Sequence, residues 1–237
     1  MHKDAAAQFF IYAATLLFVS YPKAFISPYA QYFINGFVDF GRPCVENLVN
    51  KAAVYALRVA WHYKWQEHLF LRPEEAGYYI EKGVLPVNPI INEYGILDAI
   101  KAKYGSYCLP TVYAEGSPAH PSFPSGHASI AGACITILKA FFDETSPMNL
   151  KVPNEDGSKL VDIESKSTIG DELNKLATNV AVGRNWAGVH YRFDAIMGIE
   201  CGEDVAIRIL QQYLAQLNSD HIFKFTKYNG AYVEIRK

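Results

Sequence analysis

Residues 121–127 read Pro-Ser-Phe-Pro-Ser-Gly-His, and a run of apolar, helix-forming residues follows them. The first backbone N–H groups of a helix have no partner within the helix, so a stiff loop that leads into a helix is a natural oxyanion site. Ser125 adds a hydroxyl donor, Gly126 lets an anion approach the backbone, and His127 can move a proton near neutral pH. Taken alone, the stretch is equally compatible with an ordinary proline-rich turn before a core helix.

A second segment carries Lys64, His68 and Arg72 at intervals of four residues. Residues four apart lie on one face of a continuous helix, so this spacing predicts a cationic face. The alternative is a solvent-exposed face on which long side chains extend their charges into water.

A third segment, residues 183–194, carries Arg184, His190 and Asp194. If His190 starts a helix, Asp194 lies one turn later on the same face. Its carboxylate can then fix the tautomer of the imidazole and raise its basicity. Taken alone, this pair is typical of a helix surface.

Together the three segments supply three cations, a hydroxyl, a backbone donor and two imidazoles. This set suits a tetrahedral oxyanion, because arginine provides forked donors and lysine a point charge for the oxygens. One histidine can bond to the central atom along one axis while the other handles protons on the opposite side. The residues are Lys64, Arg72, Ser125, Gly126, His127, Arg184 and His190.

The composition indicates what kind of scaffold positions these side chains. Half of the 237 residues are hydrophobic, and the formal net charge is −2 without a strong basic block. The chain can therefore bury a sizeable core, and its charge argues against nucleic acid as a partner. There is neither βαβ alternation nor an internal repeat. We expect a mainly α protein, a helical bundle that forms a single domain over residues 1–237.

Periodicity, prolines and glycines locate the individual elements. They predict helices near residues 5–20, 29–40, 46–70, 96–104, 127–142, 169–182 and 194–217, and one more that opens at Pro73. They also predict a turn at 41–43, a long loop at 105–124, an exposed insertion at about 144–167 and a short strand pair within 223–237. Long ordered loops in compact domains are often functional, which adds weight to the loop before Ser125.

Residues 5–21 form a nearly uncharged run. This run could be the apolar region of a signal sequence or a membrane span. It is short for a span, and no clear small-residue cleavage site follows it. We therefore expect a buried helix and no membrane partner.

The four cysteines match no zinc-binding pattern. Cys134 and Cys201 lie in apolar helical stretches and are expected to be small buried residues. Cys44 and Cys108 lie near prolines in loop-like sequence, and whether they form a disulfide stays open.

The order of the three segments resembles the signature shared by vanadium-dependent haloperoxidases and type 2 phosphatidic-acid and bacterial acid phosphatases. The signature reads Lys…Arg-Pro, then Pro-Ser-Gly-His, then Arg-X5-His-X3-Asp, and the resemblance covers roughly residues 46–206. Within this superfamily, the sequence most resembles the algal-type vanadium bromoperoxidases. Four features carry it: the long Lys64–Arg72 spacing, the loop 115–127, Gly183 where phosphatases usually have serine, and residues 189–194.

The resemblance implies a helical bundle of the haloperoxidase and acid phosphatase type, with vanadate as cofactor. His190 would be the axial ligand of vanadium, and Asp194 would orient or polarise the helix around it. His127 would be the acid–base residue, and His120 would affect halide or peroxide handling. The vanadate oxygens would be held by Lys64, Arg72, Ser125, Gly126 and Arg184.

The implied reaction uses hydrogen peroxide to oxidise bromide, or iodide or chloride, to hypohalous acid, which halogenates small organic acceptors. Vanadium would act as a Lewis acid without redox cycling, with help from the charge of Lys64. The resemblance also favours a homodimer or higher homo-oligomer and a secreted, cell-wall or periplasmic location. Algal members carry a large helical region before the matched segment, and this sequence starts only about sixty residues before Lys64. A compact form, a fragment or an engineered form would explain that difference.

Two other functions use the same residues. In an acid phosphatase, His190 would attack phosphorus and His127 would protonate the leaving oxygen, and vanadate would inhibit as a phosphate mimic. Gly183 and the lack of several membrane spans argue against a lipid phosphatase. A non-catalytic helical or assembly protein is the third possibility, and it would bind neither anion.

Overall fold

The computed structural model describes residues 6–32, 36–87, 92–218 and 220–237. Its helices are α1 Gln8–Ser20, α2 Arg42–His62, α3 Pro73–Glu81, α4 Ile96–Tyr104, α5 Gly126–Phe141, α6 Ile169–Trp186 and α7 Arg192–Gln216. Its strands form two antiparallel pairs, β1 Lys151–Pro153 with β2 Leu160–Asp162 and β3 Phe223–Thr226 with β4 Tyr232–Ile235. The prediction of a mainly α bundle is confirmed.

Helix α5 lies at the centre of the bundle. Helices α2, α6 and α7 pack around it, and every residue of α5 except His127 is buried. An apolar helix that is hydrophobic on all sides belongs in a core, which explains why the run after His127 carries so few polar residues. The N-terminus of this buried helix carries the Ser-Gly-His sequence.

Glycines let α5 and α7 cross in backbone contact. A Cβ atom on Gly132 would lie 2.1 Å from the carbonyl oxygen of Ile199, and one on Gly202 would lie 2.0 Å from that of Ser129. At the start of both helices the Ser125 N–H donates to the Asp194 carbonyl at 3.1 Å. The close crossing therefore brings the first turn of α5 beside the first turn of α7.

We expect Gly202→Ala to lower the free energy of unfolding by about 2–3 kcal/mol, because the added carbon meets backbone that cannot rotate away. Gly183→Ala is the matched control, since a Cβ there meets no atom within 4 Å. Alanine is favoured over glycine in a helix by up to about 1 kcal/mol, so the control should be neutral or stabilising. Urea unfolding followed by circular dichroism measures both, and equal stability of the two variants would contradict the close crossing.

The prediction of a helix over residues 29–40 is wrong for those of its residues that the structure describes. Ala30–Tyr32 forms one 3₁₀ turn, residues 37–41 form bends, and residues 33–35 lie outside the described part. Gly36 and Gly41 approach so closely that a Cβ on Gly41 would lie 2.2 Å from the Gly36 carbonyl oxygen. This tight approach needs glycine at both positions and leaves no room for a continuous helix.

The turn predicted at residues 41–43 is also wrong, because α2 begins at Arg42 with Gly41 as its N-cap. Pro43 occupies the first turn of α2, where a missing N–H leaves no helical hydrogen bond unmade. The other predicted helices are present, although Ala5 lies outside the described residues and α6 runs on to Trp186, beyond the predicted end at 182.

Helix α1 is buried on one side only, so the prediction of a buried helix is half right. Phe10, Ala14 and Leu17 pack into the core. The opposite side exposes apolar side chains at Phe9, Tyr12, Leu16 and Val19. Within the described residues, no helix has the length and apolarity that a membrane crossing requires.

The predicted strand pair in the tail is β3–β4, and it covers one end of the core with Phe223, Phe225 and Ile235. Within the segment predicted as an exposed insertion, β1 and β2 form a hairpin whose residues are mostly exposed. All four cysteines carry free thiols, so Cys44 and Cys108 form no disulfide. Cys44 is buried and Cys108 is exposed.

Candidate oxyanion site

A cavity of about 1000 Å³ opens beside the N-terminus of α5. The structure brings all three predicted segments to its wall, although they are far apart in sequence. The predicted site residues that line it are Arg72, His120, Gly126, His127, Arg184 and His190. Lys64, Ser125 and Asp194 lie buried among them.

Lys64 is fully buried in a π-helical turn, Tyr63–His68, that continues α2. Its Nζ donates to the carbonyl oxygens of Pro121 at 2.6 Å and Ser122 at 2.7 Å. Burial and the charge of Arg72 lower the pKa of Lys64 to about 7, against the opposing effect of Asp194. The ammonium group therefore ties the proline-rich loop to α2.

The prediction that Lys64, His68 and Arg72 share one helix face is wrong. The π-helical turn widens the spacing, and Leu69 ends it in the left-handed conformation with φ of 47°. His68 is exposed and packs its ring 4.9 Å from that of Phe123. Arg72 lies beyond the helix as the N-cap of α3, because a residue before proline avoids the helical region.

Arg72 is 1% exposed, and its guanidinium contacts the loop that carries His120 and the segment that carries His190. Its Nε donates to the His120 carbonyl at 2.8 Å and its Nη1 to the Val189 carbonyl at 2.7 Å. The same Nη1 lies 3.0 Å from His190 Nε2, and Nη2 lies 2.9 Å from His120 Nδ1. Burial lowers the pKa of Arg72 to about 10, a value at which it stays charged at neutral pH.

His190 pairs with Asp194 as predicted. Nδ1 of His190 lies 2.7 Å from Oδ2 of Asp194, which also accepts a hydrogen bond from the Tyr191 N–H at 3.1 Å. The carboxylate fixes the proton on Nδ1, so the lone pair of Nε2 is directed toward Arg72. Burial lowers the pKa of His190 to about 4 despite Asp194, so the imidazole is neutral near pH 7. A neutral imidazole with an unprotonated Nε2, here in contact with Arg72, can act as a metal ligand or as a nucleophile.

Ser125 is the buried N-cap of α5, and its Oγ accepts from the Ala128 N–H at 3.4 Å. Gly126 and His127 follow in the first turn, on the cavity wall. A Cβ on Gly126 would lie 3.1 Å from the Leu57 side chain, so glycine keeps this approach to the helix terminus open. The positive end of the α5 dipole and its first N–H groups favour an anion here.

His120 lines the cavity beside Arg72. Its ring centroid lies 4.7 Å from that of Trp61, and a nitrogen of the ring contacts Arg72. Burial, together with the charges of Arg72 and Lys64, lowers the pKa of His120 to about 4. A second neutral imidazole therefore lies beside the cationic group, with an aromatic ring on its other side.

Sequence reasoning missed Tyr113, whose Oη accepts a hydrogen bond from Arg184 Nη1 at 2.8 Å. It also missed Trp61 and Ser117, which line the same cavity. The chain has 16 tyrosines, and nothing in the spacing of Tyr113 marks it. The available signal was its place in a long proline-rich loop that precedes the Ser-Gly-His turn.

The charge of the cavity fits an oxyanion. Arg72 and Arg184 line the cavity and Lys64 is buried beside them. Asp194 is engaged with His190, and Glu115 adds one carboxylate to the lining. In the described part of the chain, Nε of Arg184 is buried without a hydrogen-bond partner, and so is Oγ of Ser117. Such buried donors call for a ligand or water. In the described residues, no group of three or more histidine, cysteine, aspartate or glutamate side chains could hold a metal ion. The two arginines of the lining provide the forked donors that suit an oxyanion such as vanadate or phosphate.

Comparison with known proteins gives a consistent result. Residues 46–219 match the family model described as VCPO second helical-bundle domain. The vanadium-dependent bromoperoxidase of Corallina officinalis is 38% identical in a match that covers 84% of this chain and 38% of the relative. That of Ascophyllum nodosum is 37% identical in a match that covers 84% of this chain and 39% of the relative.

Solved structures give the same picture. The homohexameric structure of the second vanadate-dependent bromoperoxidase from Ascophyllum nodosum is similar at a TM-score of 0.80 and 30% identity, covering 93% of this chain and 45% of that one. A bacterial vanadium-dependent iodoperoxidase shares the fold at a TM-score of 0.54 and 17% identity, covering 89% of this chain and 40% of that one. The chain thus spans well under half the length of these relatives.

Proposed function

The chain belongs to the vanadium haloperoxidase family, through its VCPO second helical-bundle domain, and we propose that it is a vanadate-dependent bromoperoxidase. It oxidises bromide, or iodide or chloride, with hydrogen peroxide to hypohalous acid, which halogenates small organic acceptors. The observation that carries the proposal is the neutral His190, fixed by Asp194 and facing Arg72 in a cavity that is lined by two arginines, with Lys64 buried beside them.

The residues present fit vanadate as the cofactor. Vanadate, when bound, supplies a Lewis-acid centre that activates hydrogen peroxide toward a halide. Nε2 of His190 would be the vanadium ligand, while the guanidinium and ammonium groups hold the oxygens and balance their charge. The groups that hold the oxygens are Lys64, Arg72, Ser125, Gly126 and Arg184.

Two further histidines act on protons and on the halide. His127 lies in the first turn of α5 on the cavity wall, where it moves a proton to or from a bound oxygen. His120 is held against Arg72 and Trp61, so it influences how peroxide or halide reaches the cationic groups. The charge of buried Lys64 increases the electrophilic character of the site.

The test is halogenation by the purified protein with orthovanadate, hydrogen peroxide and bromide, followed by the colour change of a phenol dye. Chloride and iodide in place of bromide give the halide preference. Bromination that depends on vanadate supports the proposal, and its absence in the folded protein contradicts it. Phosphoester hydrolysis that vanadate inhibits, without halogenation, would instead identify the protein as an acid phosphatase with His190 as nucleophile.

We also propose that the chain forms a homo-oligomer. The Ascophyllum nodosum structure is homohexameric, and the apolar side chains of Phe9, Tyr12, Leu16 and Val19 form an exposed stripe on α1 of this chain. A stripe of this kind is typical of a protein–protein contact. Sedimentation analysis of the wild type and of a variant with Leu16→Glu and Val19→Glu tests the proposal. A monomeric wild type would contradict it.

A further inference from the structure

Tyr113 contacts Arg184, one of the cationic side chains of the cavity. Its phenol oxygen accepts a hydrogen bond from Arg184 Nη1 at 2.8 Å, and the guanidinium carbon lies 5.6 Å from the centre of its ring. Both residues line the cavity. The contact joins a loop residue to the end of α6, 71 positions further along the chain.

Backbone contacts hold Tyr113 in this place. The Val112 N–H donates to the Ala187 carbonyl at 3.1 Å, so the loop is tied to the turn that follows Arg184. Gly188 has a φ of 75°, and a Cβ on it would lie 2.3 Å from the Pro110 carbonyl oxygen. Only glycine allows this approach, and the loop therefore packs directly against the segment that carries Arg184.

The charge of the group that accepts a hydrogen bond from Arg184 affects how well the site binds an anion. The acceptor at Arg184 Nη1 is the phenol of Tyr113, and the buried Nε of Arg184 has no hydrogen-bond partner in the parts of the chain that the structure describes. A carboxylate acceptor would orient the guanidinium but would also cancel its charge and repel an anion. A neutral phenol orients it and leaves the full positive charge for the cavity.

We propose that Tyr113 is the positioning residue for Arg184. The phenol holds Nη1 and thereby fixes the plane of the guanidinium toward the oxygens of a bound tetrahedral oxyanion. This role rests on one part of the proposed function, namely that the site binds vanadate. Tyr113 would position Arg184 in the same way for phosphate at this site.

The first experiment compares Tyr113→Phe with the wild type in titrations of orthovanadate and of inorganic phosphate followed by calorimetry. The variant keeps the ring and loses the hydroxyl that accepts from Arg184, so both anions should bind about tenfold more weakly. The melting temperature of the anion-free protein should not change. Tyr107→Phe is the matched control, since Tyr107 lies in the same loop under Lys101 but outside the cavity, and it should bind both anions normally.

The second experiment repeats Tyr113→Phe in an Arg184→Lys background. If Tyr113 acts through Arg184, the substitution changes the vanadate affinity less than twofold there. Wild-type affinity in Tyr113→Phe, or an undiminished tenfold loss in the Arg184→Lys background, would overturn the positioning role while leaving the proposed function intact. A wild type that binds neither anion would overturn both.

Discussion

Replacing His190 by alanine is expected to abolish vanadate binding. Nε2 of His190 is the buried imidazole nitrogen whose lone pair faces the cationic groups, and it is the atom assigned as the vanadium ligand. Without it, vanadate keeps only ionic and hydrogen-bonding contacts with the side chains around it. Calorimetric titration should therefore give no saturable signal for orthovanadate at concentrations that saturate the wild type.

The folded state of this variant needs a separate measurement, since the substitution removes the partner of Asp194. The carboxylate is fully buried and would keep only the Tyr191 N–H, which costs about 3 kcal/mol of stability. His190→Ala combined with Asp194→Asn removes the buried charge and should recover part of that stability without restoring binding. His62→Ala is the control, because His62 is an exposed histidine paired with Glu67 outside the cavity. Equal vanadate affinity in the wild type and His190→Ala would contradict the ligand assignment.

Vanadate should also stabilise the wild type against heat. Lys64, Arg72 and Arg184 bring like charges together within a largely buried region, and burial already lowers the pKa of Lys64 and of Arg72. A ligand that binds only the folded state raises stability by about 2.7 kcal/mol at a hundredfold excess over its Kd. The melting temperature should rise with vanadate in the wild type but not in His190→Ala.

Much of the site could be predicted because each segment has strong local signals. Pro73 forces Arg72 out of the preceding helix, and the Ser125-Gly126 pair marks the start of α5. The four-residue spacing of His190 and Asp194 is enough to define their contact once a helix begins there. Each of these signals depends only on residues that are close together in the chain, so it can be recognised in a single sequence.

What could not be predicted depends on tertiary packing. The spacing of Lys64 and His68 indicates one helix face, but a π-helical turn directs Lys64 inward and leaves His68 exposed. The hydrogen bond of Tyr113 to Arg184 joins residues 71 positions apart and has no local signature. The turn at residues 36–41 depends on the close approach of Gly36 to Gly41, which overrides the helical pattern.

Replacing His127 by alanine is expected to leave vanadate binding largely intact and to slow turnover by about 10² to 10⁴-fold. His127 lines the cavity in the first turn of α5, where its imidazole reaches bound oxygens from the side of the helix terminus. His190 and the cationic side chains remain in place in this variant, so the anion should still bind within about threefold of the wild-type Kd. A proton carrier lost from an intact anion site lowers kcat rather than affinity.

The decisive comparison measures the vanadate Kd by calorimetry and kcat by bromination on the same preparation. His127→Gln serves as a second variant, because it keeps hydrogen bonding at that position but cannot transfer a proton near neutral pH. If His127 transfers a proton, both variants lose kcat to a similar degree and the pH profile of kcat loses one limb. If His127 only positions an oxygen by hydrogen bonding, glutamine restores most of kcat. That result would contradict the acid–base role of His127 and leave it as a residue that positions an oxygen by hydrogen bonding.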